Sequence, residues 1–200
     1  MLQTFYEECL TAIKPEARSA WPAIAQAYAG RAYHNLDHLT EMLGHYRTIT
    51  PTLAPAAPPI FGISLIYHDI VYRAGRADNE ARSADMAVAA LQAAGVDTDG
   101  QNYCRALIMA TKTHQPGSDD EGLLVDLDLA VLARPAKGYD AYTEAIRKEF
   151  SLFPGFLYRP GRKKALQHFL KKSNIYHHSF FQKHWESPAR ENLLREIERL

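Results

Sequence analysis

Three observations predict an all-α fold. Apolar residues recur three and four positions apart along nearly the whole chain, the spacing that gathers them on one side of a helix. The two-residue alternation of a half-buried strand is scarce. Proline and glycine cut the chain into pieces of helix length. Together they imply a compact array of roughly eight to eleven helices joined by short loops.

Leu2 to Ile13 and Ala17 to Ala29 form the first two helices, parted by Lys14-Pro15 and closed by Gly30. His34 to Ile49 is the third. Thr50 to Pro59 carries Pro51, Pro55, Pro58 and Pro59, and each proline removes a backbone donor, so this stretch is a loop. Ile60 to Tyr72 is the central helix, and Arg73 to Ala77 turns at Gly75. Asp78-Asn79 caps the next helix, Glu80 to Ala94, which Gly95 ends. Asp99 to Thr113 follows.

Ser118-Asp-Asp-Glu121 has capping-box spacing and opens the helix that carries Asp126 and Asp128. Tyr139 to Phe150 places Tyr142, Ile146 and Phe150 on one stripe. Pro154-Gly155 breaks it. Phe156 or Leu157 to Lys172 and Pro188 to Leu200 are two more helices, with a short helical piece within Asn174 to Trp185. No Gly/Ser-rich or charged linker divides the chain, so one domain covers residues 1–200.

Composition excludes several classes. Formal net charge is zero, which gives no global attraction to nucleic acid or to an anionic membrane. Cys9 and Cys104 are too few for a disulfide framework and lack metal-type spacing. Glu7 and Glu8 stand where a signal peptide needs a basic start, and no apolar run is long enough to cross a bilayer. The expectation is a cytoplasmic protein without a membrane partner, with room for a homo-oligomer. The basic run Arg159, Arg162, Lys163, Lys164, Lys171, Lys172 fits a solvated face better than RNA binding in a chain of zero net charge.

Chemistry concentrates in three places. His68-Asp69 lies inside the apolar run Gly62 to Tyr72, where two ionisable groups cost several kcal/mol unless something takes up their charge. An imidazole beside a carboxylate facing a core suits a divalent metal. His34 and His38 are four apart and share a face if both are helical. Asn35-Leu36-Asp37 between them lacks the glutamate base of a His-Glu-x-x-His protease, which removes that reading. Asp126 and Asp128 lie roughly 200° apart around a helix, so only one can face a given ion. Asp126 also fits the solvent edge of a first turn, which suits it better than Asp128.

Taken in order, His…His-Asp…Asp in an all-α setting resembles the HD superfamily of metal-dependent phosphohydrolases. Tyr33-His34-Asn35-x-x-His38 is similar to the Tyr-His-Asn-x-x-His stretch of the cyclic nucleotide phosphodiesterases, distant relatives in which the first histidine is the general acid and the second a metal ligand. The spacing from Asp128-Leu129 to Tyr139, Tyr142, Ile146 and Glu149-Phe150 resembles the pattern after the last aspartate ligand of those enzymes, and so favours Asp128 over Asp126. From His34 to the Ala189–Leu193 segment the chain resembles a bacterial group of HD phosphohydrolases without an assigned substrate. The chain has no room for the purine-clamping glutamine region of full phosphodiesterases. The extra histidines of the five-histidine HD branches are missing too.

The resemblance implies an HD-type helical array and hydrolysis of a phosphate ester or nucleotide, with metal-activated water as nucleophile. His38, His68, Asp69 and Asp128 would hold a divalent ion, and His34 would protonate the leaving oxygen. Asp69 could also serve as base. Glu80 could orient a ligand or water, and His114 or Asp126 could serve a second metal or support the first. Arg31, Arg73 and Lys112, with Arg76 and Arg82 nearby, are candidates to bind phosphate. Mixed His/Asp ligands suit Mn, Fe, Co, Ni or Zn, with Mg at a second site. The partner is a small phosphorylated molecule such as a nucleotide. Rival readings are a non-catalytic nucleotide or metal sensor and a di-iron oxygenase.

Overall fold

The computed structural model describes residues Met1–Leu200 and contains ten α-helices, one 3-10 segment and no strand. The helices are α1 (Leu2–Ile13), α2 (Trp21–Tyr28), α3 (Leu36–Ile49), α4 (Pro58–Tyr67), α5 (Asn79–Ala93), α6 (Thr98–Thr113) and α7 (Asp119–Asp128). A 3-10 segment, Leu129–Ala133, leads to α8 (Ala136–Glu149), α9 (Gly155–Leu170) and α10 (Ser179–Arg199).

α4 is the pillar. Every residue from Phe61 to Tyr67 is buried, because α1, α3, α5 and α6 pack around it. α6 carries the packing on to α7, and the 3-10 segment rests between α8 and α10. One apolar core of 43 buried residues results. Gly62 lets α1 approach α4 closely, since a Cβ there would sit 2.4 Å from Cys9 Sγ and 2.9 Å from the Phe5 ring.

Several boundaries differ from the sequence expectation, each for a local reason. α2 starts at Trp21, because Pro22 is tolerated only in a first turn. α4 starts earlier than expected for the same reason, with Pro58 and Pro59 as its first two residues. α4 also stops earlier, at Tyr67, so His68-Asp69 occupies the turn after the helix rather than its interior. His34 likewise lies outside α3, which Asn35 caps by accepting hydrogen bonds from the backbone N–H groups of Asp37 and His38 at 2.8 and 3.3 Å. The expected helical pairing of His34 with His38 therefore does not exist.

At the far end, residues 174–178 are irregular, and α10 runs unbroken through Pro188. Pro188 is exposed while Phe181, Ala189 and Leu193 on the inner side are buried. Water can serve the carbonyl that the proline leaves unpaired, and packing holds the helix on both sides. No helix is long and apolar enough to cross a membrane.

Candidate metal centre

The tight end of α4 is made by two residues from far upstream. The Tyr28 hydroxyl donates to Ile66 O at 2.7 Å. Arg31 donates to Asp69 O at 2.5 Å, to Ile70 O at 2.7 Å and to His34 O at 3.3 Å. These bonds satisfy carbonyls that a helix end leaves open. They also tie the backbone of His34 to that of Asp69.

Around this turn His38 from the first turn of α3, His68 and Asp69 from the turn after α4, and Asp128 from the end of α7 meet. One ligand atom from each lies within 4.8 Å of all the others. His38 Nε2 is 3.1 Å and His68 Nε2 3.6 Å from Asp128 Oδ1, and His68 Nε2 is 3.2 Å from Asp69 Oδ2. Both imidazoles are nearly sealed, at 1% side-chain exposure, against 12% for Asp69 and 18% for Asp128. The group therefore opens to solvent on its carboxylate side.

The far ring nitrogens fix which atoms face inward. His68 Nδ1 lies 2.9 Å from Leu65 O, a partner that only accepts, so Nδ1 carries the proton. His38 Nδ1 meets the Tyr33 hydroxyl at 3.1 Å. His68 Nε2 then points into the group, and it is the one buried side-chain nitrogen or oxygen without a hydrogen-bond partner. It is close to two carboxylates yet aimed at neither. A bare lone pair facing carboxylate oxygens is repulsive, so this nitrogen takes either a proton or a bound cation, and two imidazoles with two carboxylates are a donor set that fits a divalent metal.

The electrostatics agree. Burial opposes charge on His68, but Asp69 and then Asp128 pull its pKa well above the usual value. Burial likewise opposes ionisation of Asp69, yet His68 and His34 hold it down to about 2. Asp128 is also held well below the carboxylate range by His38 and His68. The pocket demands positive charge near both carboxylates.

His34 stands at the open side, with Nε2 4.0 Å from Asp69 Oδ2. Its Nδ1 is 2.6 Å from Glu149 Oε2, and Glu149 Oε1 accepts the backbone N–H groups of Tyr33 and His34 at 2.8 and 3.0 Å. Tyr72 stacks on the His34 ring with centroids 3.7 Å apart. Burial would raise Glu149, but the hydrogen bond from His34 outweighs it and keeps the carboxyl below its usual range. His34 is thus a clamped imidazole with its free nitrogen turned toward Asp69.

Other sequence candidates lie elsewhere. Asp126 is fully buried, not at a solvent edge, and accepts the backbone N–H groups of His177 and His178 at 2.7 and 2.8 Å. Burial raises it to about 7 although both bonds favour the ionised form. It anchors the segment before α10 and lies outside the four-residue group. His114 ends α6 with φ of 51°, packs edge-on against Phe169, and stays outside the four-residue group. Burial pushes its pKa down. Glu80 lies in the first turn of α5, also outside the group.

Of the cationic candidates, Arg31 is occupied by three carbonyls, Lys112 donates to Ala77 O at 2.7 Å, and Arg76 forms a fork with Asp78. Arg73 is exposed and its guanidinium has no partner. A cavity of about 420 Å³ is lined by His114, Asp126, Lys172 and Tyr176 rather than by the four ligands.

Sequence reasoning missed the clamp made by Glu149 and the brace made by Arg31. Glu149 lies 115 residues from His34, and the spacing that runs from Asp128 to Glu149-Phe150 singles the residue out without naming that partner. Comparison with protein-family models, curated proteins and solved structures finds no match to this chain.

Proposed function

We propose that this chain is a metal-dependent phosphohydrolase of the HD type, cleaving a phosphate ester or nucleotide with water as nucleophile. The observation that carries the reading is the convergence of His38, His68, Asp69 and Asp128 around an unpartnered imidazole nitrogen, with a second, clamped imidazole at the open side.

His38 and His68 would hold the ion through Nε2, and Asp69 and Asp128 through carboxylate oxygens. Two nitrogens and two oxygens of this kind suit Mn, Fe, Co, Ni or Zn. The chemistry supplied by such an ion would be Lewis acidity toward a phosphoryl oxygen and a lowered pKa for water. His34 delivers a proton from Nε2 to the leaving oxygen, which keeps the electron pair of the broken P–O bond. Glu149 retains the Nδ1 proton and stabilises the imidazolium before transfer. Arg31 keeps His34 and Asp69 in register, and Arg73 and Arg82 are the exposed candidate cations left to meet a phosphate. A sensor that only binds metal has no use for the His34–Glu149 pair, which favours an enzyme.

Metal analysis of protein purified without chelator tests the reading. Wild type should carry near-stoichiometric transition metal, Asp128→Ala should lose it, and Asp126→Ala should keep it. A metal-free wild type after reconstitution would reduce the group to a buried ion-pair cluster.

A further inference from the structure

We infer that the N-terminal end of α9 is a docking surface for an anionic lipid bilayer. Three large apolar side chains gather there in the open, Leu152 at 92% exposure, Phe156 at 75% and Leu157 at 56%. Along α9 only Leu166 is buried. Phe156 and Lys163, and likewise Leu157 and Lys164, are seven residues apart, two helical turns, so each pair shares the outward side.

The charge pattern names the partner. Between Glu149 and Glu186 the chain contains no Asp or Glu, although it is neutral overall. Arg159, Lys163, Lys164 and Lys171 in this stretch are exposed, and none of them forms an ion pair or side-chain hydrogen bond. Arg159 shares a cavity with Asp140, Glu144 and Glu196, so the cations available to a partner are Lys163, Lys164 and Lys171. An apolar tip backed by unpaired cations matches the interface of a bilayer carrying anionic headgroups, where leucine and phenylalanine enter the acyl boundary and lysines reach the phosphates. Two of the three exposed side chains are aliphatic and cannot stack on bases as a single-stranded RNA would require. Phe153, beside Leu152, packs on Gly75 in the turn after Tyr72. The tip therefore lies next to the segment that stacks on His34, and the inference stands whether or not the metal centre is catalytic.

Co-sedimentation of the full chain with vesicles tests it. The protein should pellet with phosphatidylcholine–phosphatidylglycerol vesicles, remain soluble with phosphatidylcholine alone, and be released by added salt. Lys163→Glu with Lys164→Glu, and separately Leu152→Ser with Phe156→Ser, should each weaken binding roughly tenfold or more. All four positions are exposed, so the variants should keep the wild-type helical circular dichroism. Equal binding to neutral vesicles, or none to either, overturns the proposal. So does a wild-type dimer that the Phe156 variant converts to monomer without vesicle binding, or capture of single-stranded RNA in place of vesicles.

Discussion

His34 shows how much a single side chain depends on what holds it. Its Nδ1 is committed to Glu149 and its ring to Tyr72, which leaves Nε2 as the working atom. On the proposed function, His34→Gln should leave metal binding intact and lower turnover by about two to four orders of magnitude, measured on any phosphate ester that the wild type hydrolyses. Loss of metal in that variant would instead make His34 a ligand. Asn35, the next residue, works on structure. Its side-chain oxygen caps α3 and its amide donates to Arg31 O and Ala32 O. Asn35→Ala should cost about 1–2 kcal/mol in urea unfolding, and metal affinity should fall with it because His38 sits in the capped turn. At this scale the sequence displayed the ligand types, and the resemblance of the spacing from Asp128-Leu129 to Glu149-Phe150 favoured Asp128 over Asp126. It could not display Glu149 or Arg31 as their supports, since both act across long sequence separations.

Among the elements, α4 and its neighbours set the geometry. The apolar run from Phe61 to Tyr67 leaves no polar side for the helix, so it must be surrounded, and Gly62 is where α1 comes nearest. Gly62→Ala should destabilise by about 1–3 kcal/mol through overpacking against Phe5 and Cys9, read as a lowered thermal midpoint. Metal content per folded molecule should be unchanged. α7 shows the complementary case. Asp126 and Asp128 point to different sides of one helix, as their spacing requires, so one carboxylate faces the metal group and the other grips the backbone before α10. The helical period was legible in the sequence. The end of α4 was not, because Tyr28 and Arg31 create it from outside the segment.

Across the whole molecule, a buried polar network joins α8, α9 and α10. Arg162 forks onto Glu196 at 2.7 and 3.0 Å, and the Tyr139 hydroxyl donates to the same carboxylate at 2.5 Å. Glu196→Ala would strand a guanidinium that is almost fully enclosed, and should cost about 3–5 kcal/mol in chemical denaturation. Because α8 ends at Glu149, the His34 clamp should loosen as well. A variant that unfolds like wild type would show that Arg162 finds another partner.

The sequence by itself determined the helical class, most helix cores and the residue types of the candidate metal group, with Asp128 preferred to Asp126 only through the family resemblance. Helical periodicity and residue chemistry are local properties that survive without coordinates. Only the tertiary structure decided that His68-Asp69 lies in a turn, that Asp126 is an anchor, that Arg31 is a brace, and that α9 leaves its apolar tip open. Each of these depends on which distant group occupies a carbonyl, a carboxylate or a surface, and sequence spacing carries no record of that.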